Sequence, residues 1–218
     1  MRKIQIPQKW LCSGSGITTF IHGTGREKVF VRGAIVFPCL KEDLTYTGTL
    51  CIAGIYESDQ HVLILEMRHF TDYNDILSIH FKMFYDRYGV TDYYYNADSD
   101  GDFEAKKFMI ARDAREYAER DKVYPNLLKL SVGTDYQAFS LMRQKNALGK
   151  FTFKSKMLAD ALMSWEETVP FRKAPCELQC ACIALVGICN DAWESFEQEK
   201  QLEAERMDSG IFGEIFDD

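Results

Sequence analysis

Between Val29 and Tyr95 lie four segments of strand character, with an amphipathic helix between the third and the fourth. That order constrains the fold more than any other feature of the chain. Val29 to Phe37 is rich in β-branched residues and is stopped by Pro38; proline has no N–H for a sheet ladder. Thr49 to Tyr56 and His61 to Met67 are apolar runs split by Glu57-Ser58-Asp59-Gln60, which predicts an antiparallel hairpin. Over residues 72–88, Tyr73, Ile76, Leu77, His80, Phe81 and Phe84 recur at helical spacing, and Gly89 supplies the stop. The aromatic strand Tyr93-Tyr94-Tyr95 follows. Further on, the pattern predicts helices over about 104–119, 136–146, 156–166 and 176–205, with short strands at 123–130 and 150–153. Strands first paired as a hairpin and then separated by helices define an α/β protein whose mixed sheet starts antiparallel and continues parallel.

The aromatic strand runs straight into Asp98, Asp100, Asp102 and Glu104. Carboxylates this close repel one another unless a cation sits among them or water solvates them. A calcium loop is the first pattern to try, with Asn96, Asp98 and Asp100 at positions 1, 3 and 5 and Gly101 at position 6. Position 12 is then Lys107, where that loop needs a bidentate glutamate. The strand in front of the cluster also stands where an entering helix is required. The acids therefore read as the end of a strand, either solvated or holding a divalent ion.

Length and composition divide the chain into an N-terminal arm or linker over 1–27, a folded domain over 28–205 and an acidic tail over 206–218. Glycines at 14, 16, 23 and 25 break any pattern in the arm. Ten acids against two bases from Asp191 onward give a balance of −8, which leaves +1 for the rest of a chain of net charge −7. The low pI thus belongs to the tail and does not argue against a nucleic-acid partner for the body. Of seven cysteines, Cys176, Cys180, Cys182 and Cys189 crowd one apolar segment without paired C-x2-C spacing, which reads as buried thiols on a helix. The start, Met-Arg-Lys-Ile-Gln-Ile-Pro, lacks the apolar stretch of a signal peptide, and no apolar run approaches the ~20 residues of a membrane span. The expected location is cytoplasmic, the host cytoplasm if the protein is viral.

Arg143, Lys145, Lys150, Lys154 and Lys156 form a basic stretch interleaved with Phe151 and Phe153. It suits a phosphate backbone, and equally suits a sheet edge protected from pairing with another chain. The four histidines (22, 61, 69 and 80) show no paired ligand spacing. Neither Gly14-Ser-Gly-Ile nor Gly23-Thr-Gly-Arg is followed by the G-K-[ST] of a phosphate-binding loop.

The element order, with acids closing the strand after the first helix, resembles the RNase H-like fold. Within that fold the chain is most similar to the nuclease domain of the phage terminase large subunit. Residues 49–70 are similar to that family's second and third strands. Gly149-Lys-Phe-Thr-Phe153 with the helix after it is similar to its late G-R-I-x-F strand and helix. Lys173 to Leu185 stands where its H-D-D-x-x-D-A-L helix would be. The similarity covers about residues 28–192. It implies metal-dependent cleavage of double-stranded DNA by two divalent ions, Mg²⁺ or Mn²⁺, about 4 Å apart among carboxylates. Where the family places those carboxylates, this chain has Phe37 on the first strand, Asn96 on the fourth, and Pro175, Cys176 and Gln179 on the late helix.

Two readings follow. In one, a metal site is rebuilt from Asp98, Asp100 and Glu177, with Asp43 as a further donor, and these acids are the catalytic and metal-binding residues of a packaging nuclease. In the other, the fold is kept without the chemistry and the chain binds DNA or a packaging or virion protein. In both, Arg143, Lys145, Lys150, Lys154 and Lys156 are the DNA-binding candidates. The ATPase of a packaging motor would be a separate chain.

Overall fold

The computed structural model describes residues 10–12, 17–22, 25–40, 46–119, 123–130, 135–165 and 170–208. The strands are β1 (Trp10–Cys12), β2 (Ile17–His22), β3 (Gly25–Leu40), β4 (Tyr46–Tyr56), β5 (Val62–Phe70), β6 (Asp92–Asn96), β7 (Asn126–Leu130) and β8 (Phe151–Phe153). The helices are α1 (Tyr73–Asp75), a π turn (Ile76–His80), α2 (Phe81–Tyr88), α3 (Ser99–Ala118), α4 (Asp135–Ala147), α5 (Lys156–Ser164), a 3₁₀ turn (Phe171–Lys173) and α6 (Cys176–Asp208).

β3 organises the sheet. It pairs antiparallel with β4 along one edge, while β2 (antiparallel) and β6 (parallel) share the other. β5 continues antiparallel from β4, β7 lies parallel to β6, and β8 lies parallel to β5. Read across its width the sheet runs β7-β6-β3-β4-β5-β8. Three antiparallel strands followed by two parallel ones joined through helices is the RNase H-like arrangement, and the α/β class follows. Gly33 makes the join between β3 and β6. A Cβ there would fall within the ring of Tyr93, its partner across the pair.

Alternation along β3 sends its side chains to two faces. Val29, Val31, Ile35 and Phe37 face one core with Phe81, Phe84, Ala105 and Phe108 of α2 and α3. Phe30 and Ala34 face the other, with Leu178, Cys180, Ala181, Cys182, Leu185 and Ile188 of α6. The cysteine-rich segment is thus a buried helix face, and Cys51, Cys176, Cys180, Cys182 and Cys189 are free thiols.

The structure departs from the expectations at four places. Within the expected arm, the described residues form β1 and β2, because the exposed edge of β3 gives them a pairing partner that glycine spacing conceals. β3 runs through Pro38, which sits where the register with β4 slips between Val36 and Cys39; a bulge is where a sheet tolerates proline. α3 starts at Ser99, five residues before the expected 104, because Asp98 caps it. α6 extends to Asp208, and the expected tail beyond it lies outside the described residues.

Candidate functional site

The ends of β3 and β6 are where an RNase H-like sheet would gather carboxylates. The pairing Gly33↔Tyr93, Ala34↔Tyr94 carried two residues on brings Val36 level with Asn96. Val36 also pairs with Thr49 on β4, and Thr49 with His69 on β5. Asn96, Val36, Thr49 and His69 therefore form a row across four adjoining strands. Val36 packs against the α6 core. Phe37 points the opposite way, with its ring 6.1 Å from that of Tyr95 and 5.9 Å from that of Phe108.

The first turns of α6 close over this row. The Cys180 thiol donates toward the carbonyls of Ala34 (3.3 Å) and Thr49 (3.4 Å), and the Cys176 thiol toward that of Thr47 (3.9 Å). Burial pushes the Cys180 thiol well up, with the neighbouring Cys51 thiol adding to it, so the sulfur stays protonated and remains a donor. Gln179 donates to the carbonyl of Ala174, within the approach to the helix. At these separations helix and sheet are in van der Waals contact, with no room for hydrated ions. Thr49 is fully buried and its hydroxyl has no partner among the described residues. At one end of the row Glu177 and His69 pair with each other at 2.6 Å.

Two of the acids proposed from the sequence touch opposite ends of this row: Glu177 pairs with His69, and Asp98 accepts at Oδ2 from the Asn96 amide at 3.4 Å. Asp98 is the N-cap of α3, its Oδ1 accepting from the Gly101 N–H at 2.7 Å. Gly101 permits this turn, since a Cβ there would collide with the Asn96 carbonyl. Asp100 and Asp102 occupy the first turn of α3, where the positive end of the helix dipole favours them. Asp102 also takes Lys129 (2.9 Å) and the Tyr95 hydroxyl (3.2 Å), and the Lys129 ammonium holds its carboxyl below the usual range. Glu104 pairs with Lys107 at 2.7 Å and takes the Tyr73 hydroxyl. So the acidic cluster is a helix start, with its charges taken up by a cap, a dipole and two lysines.

α3 packs into one core and α6 into the other, so Asp98, capping α3, and Glu177, on α6, come to the row from different helices and at opposite ends of it. As arranged, with Asp98 committed to its cap and Glu177 to His69, these donors do not fit a two-ion centre. Among the described residues no three His, Cys, Asp or Glu side chains are grouped so as to hold a metal ion. Asp43 lies outside the described residues.

The basic stretch spans α4, β8 and the start of α5. Arg143 and Lys145 are on α4, Lys150 leads into β8, Lys154 follows it, and Lys156 opens α5, whose cap is Ser155. Lys145 donates to the carbonyl of Gln60 at 3.2 Å, which ties α4 to the β4–β5 turn. β8 is the outermost strand on its side of the sheet. Phe151 and Phe153 turn inward from it, 5.8 Å apart, into the α6 core. Two aromatic residues that the sequence does not single out, Phe139 and Trp165, meet there with ring centroids 4.2 Å apart. They lie 26 residues apart in the chain, so no local spacing announces the pair.

No family model matches the chain, and no curated protein or solved structure matches it. Among the described residues no helix is long and apolar enough to cross a membrane.

Proposed function

We propose that this chain is an RNase H-like module that binds DNA without cutting it, acting as a component of a viral packaging or virion assembly beside a separate ATPase. The observation that carries the non-cleaving reading is the row Asn96, Val36, Thr49, His69 sealed by the Cys176 and Cys180 thiols. Two-ion cleavage needs several carboxylates around one point, and here a branched aliphatic, an amide and two thiols occupy it. The DNA-binding half of the reading rests on Arg143, Lys145, Lys150, Lys154 and Lys156 along one edge. The link to packaging rests on the similarity of strand order and of residues 49–70 and 149–165 to the terminase nuclease domain.

Incubation with supercoiled plasmid and Mg²⁺ or Mn²⁺ tests the first half, beside Asp98→Ala, Asp100→Ala and Glu177→Gln. The expected result is intact plasmid for all four proteins and a retained gel shift. Cleavage by the parent that any of the three substitutions abolishes would overturn the non-cleaving reading and reinstate those acids as ligands. For binding, replacing Lys150, Lys154 and Lys156 together with Gln should weaken affinity for any DNA sequence alike. Each lost phosphate contact should also reduce the slope of log K against log salt by about 0.9.

A further inference from the structure

Behind the basic edge lies a cavity of about 420 Å³. Its walls are the aromatic Phe139, Phe151, Phe153 and Trp165 and the aliphatic Met142, Leu162 and Leu178, with Arg143 and Asn146 of α4 also lining it. A volume in this range suits a small-molecule site. Flat aromatic walls select a planar π-face, because stacking on a ring is tolerant of which base is offered. Arg143 and Asn146 are exposed, and both carry donors able to reach the edge of a planar heterocycle, with the amide adding an acceptor. Arg143 puts a cation on the lining itself, and Lys150, Lys154 and Lys156 flank Phe151 and Phe153 along the chain.

We infer that this cavity takes one unpaired nucleobase, with the adjoining phosphates held by the basic edge. The inference rests on the DNA-binding reading and adds to it a preference for unpaired over duplex nucleic acid, since a base inside a duplex presents no free face. An aliphatic peptide side chain would fill the same walls but would gain nothing from the Arg143 guanidinium on the lining, so that cation favours the nucleotide. A free nucleotide and a base displaced from a strand share this chemistry.

Fluorescence anisotropy with a single-stranded oligonucleotide, a duplex of the same length and a nucleoside monophosphate tests it, at one fixed salt concentration. The expected order is single strand at least about tenfold tighter than duplex. Quenching of Trp165 emission should accompany single-strand binding and be missing from the Trp165→Phe protein. Tight monophosphate binding that outcompetes the strand would assign the cavity to a free nucleotide and overturn the strand-binding form. The substitution Asn146→Ala, on an exposed position outside the basic set, should weaken the single strand about fivefold or more and leave the duplex within twofold. Equal affinity for single strand and duplex, unaffected by Asn146→Ala but weakened by the lysine substitutions, would overturn this inference alone. Binding of neither would overturn the DNA-binding reading with it.

Discussion

Tyr93 and Tyr94 show how closely single residues define this sheet. They point to opposite faces, and each ring lies on a glycine: Tyr93 on Gly33 of β3, Tyr94 on Gly187 of α6, where an added Cβ would come 2.5 Å from the ring. Neither ring has space to retreat, since both side chains are 2% exposed. Gly33→Ala and Gly187→Ala should each destabilise by about 1–3 kcal/mol, the usual range for overpacking, read as a lower urea midpoint at unchanged m-value. Helix propensity alone would make Gly187→Ala stabilising by about 1 kcal/mol, so the sign of that change decides whether the contact with Tyr94 governs. Thiol chemistry tests the seal over the row in a similar way. Cys51, Cys176, Cys180 and Cys182 are buried and burial raises the Cys182 thiol as well, so a thiolate-specific reagent at pH 8 should label them only on unfolding; rapid labelling of Cys180 in the native protein would show that α6 lifts from the sheet. His80 sets a pH limit. Burial lowers its pKa, Arg68 lowers it further, and its Nδ1 has no partner among the described residues. The unfolded chain therefore binds a proton at His80 before the folded one does. Stability should be full above pH 6.5 and decline as the pH falls below it, and His80→Gln should flatten that part of the thermal-melt profile.

At the scale of elements, α3 shows both what the sequence reveals and what it hides. Asp98 before Ser99-Asp100-Gly101-Asp102 is a helix start on capping logic, with an acid at the cap and acids in the first turn. The same residues also match a metal loop, and Gly101 reads as a turn until Asn96 is seen to lie against it. The two roles separate by experiment. As a cap, Asp98→Ala should cost about 0.5–2 kcal/mol with or without divalent ions. If Mn²⁺ raises the melting temperature of the parent and not of the Asp98→Ala protein, the carboxylate is a ligand and the capping account fails. Strands β3 to β6 were legible because each is rich in β-branched, aliphatic or aromatic residues and the breaks between β3, β4 and β5 are polar. β1 and β2 were not, because their order comes from the edge of β3 and not from their own residues. The candidate site was legible in part. Asn96 and Cys176 stood out as departures from a carboxylate pattern, but the Val36–Thr49–His69 row needs the register of three strands, and the Phe139–Trp165 cavity needs α4 and α5 packed against β8.

For the whole molecule, the two faces of one sheet differ in what they carry. The face under α2 and α3 holds an aromatic core and the capped acids, while the face under α6 holds the row where the fold would seat metal ions. That division makes the non-cleaving reading testable as a property of the architecture. Placing carboxylates at Val36 and Asn96 together puts two like charges level on adjacent parallel strands, beneath a helix that offers thiols in place of cations. Without metal, the Val36→Asp/Asn96→Asp protein should be less stable than its parent. Each carboxylate is desolvated beside the other, and a buried unpaired charge costs several kcal/mol. If the strand ends keep the geometry of a metal seat, Mn²⁺ at about a hundred times its dissociation constant returns about 2.7 kcal/mol. For a chain of this size that is a rise of about 5–10 °C in melting temperature, and the parent should show no change. A double variant that loses stability and gains nothing from Mn²⁺ would mean that α6 lies too close to the sheet to leave space for an ion, whatever ligands the strands offer. Adding Cys180→Ala to the double variant then separates the two cases, because it shortens the side chain that reaches the Ala34 and Thr49 carbonyls. Metal-dependent stabilisation that appears only in this triple variant identifies the Cys180 thiol as what closes the site.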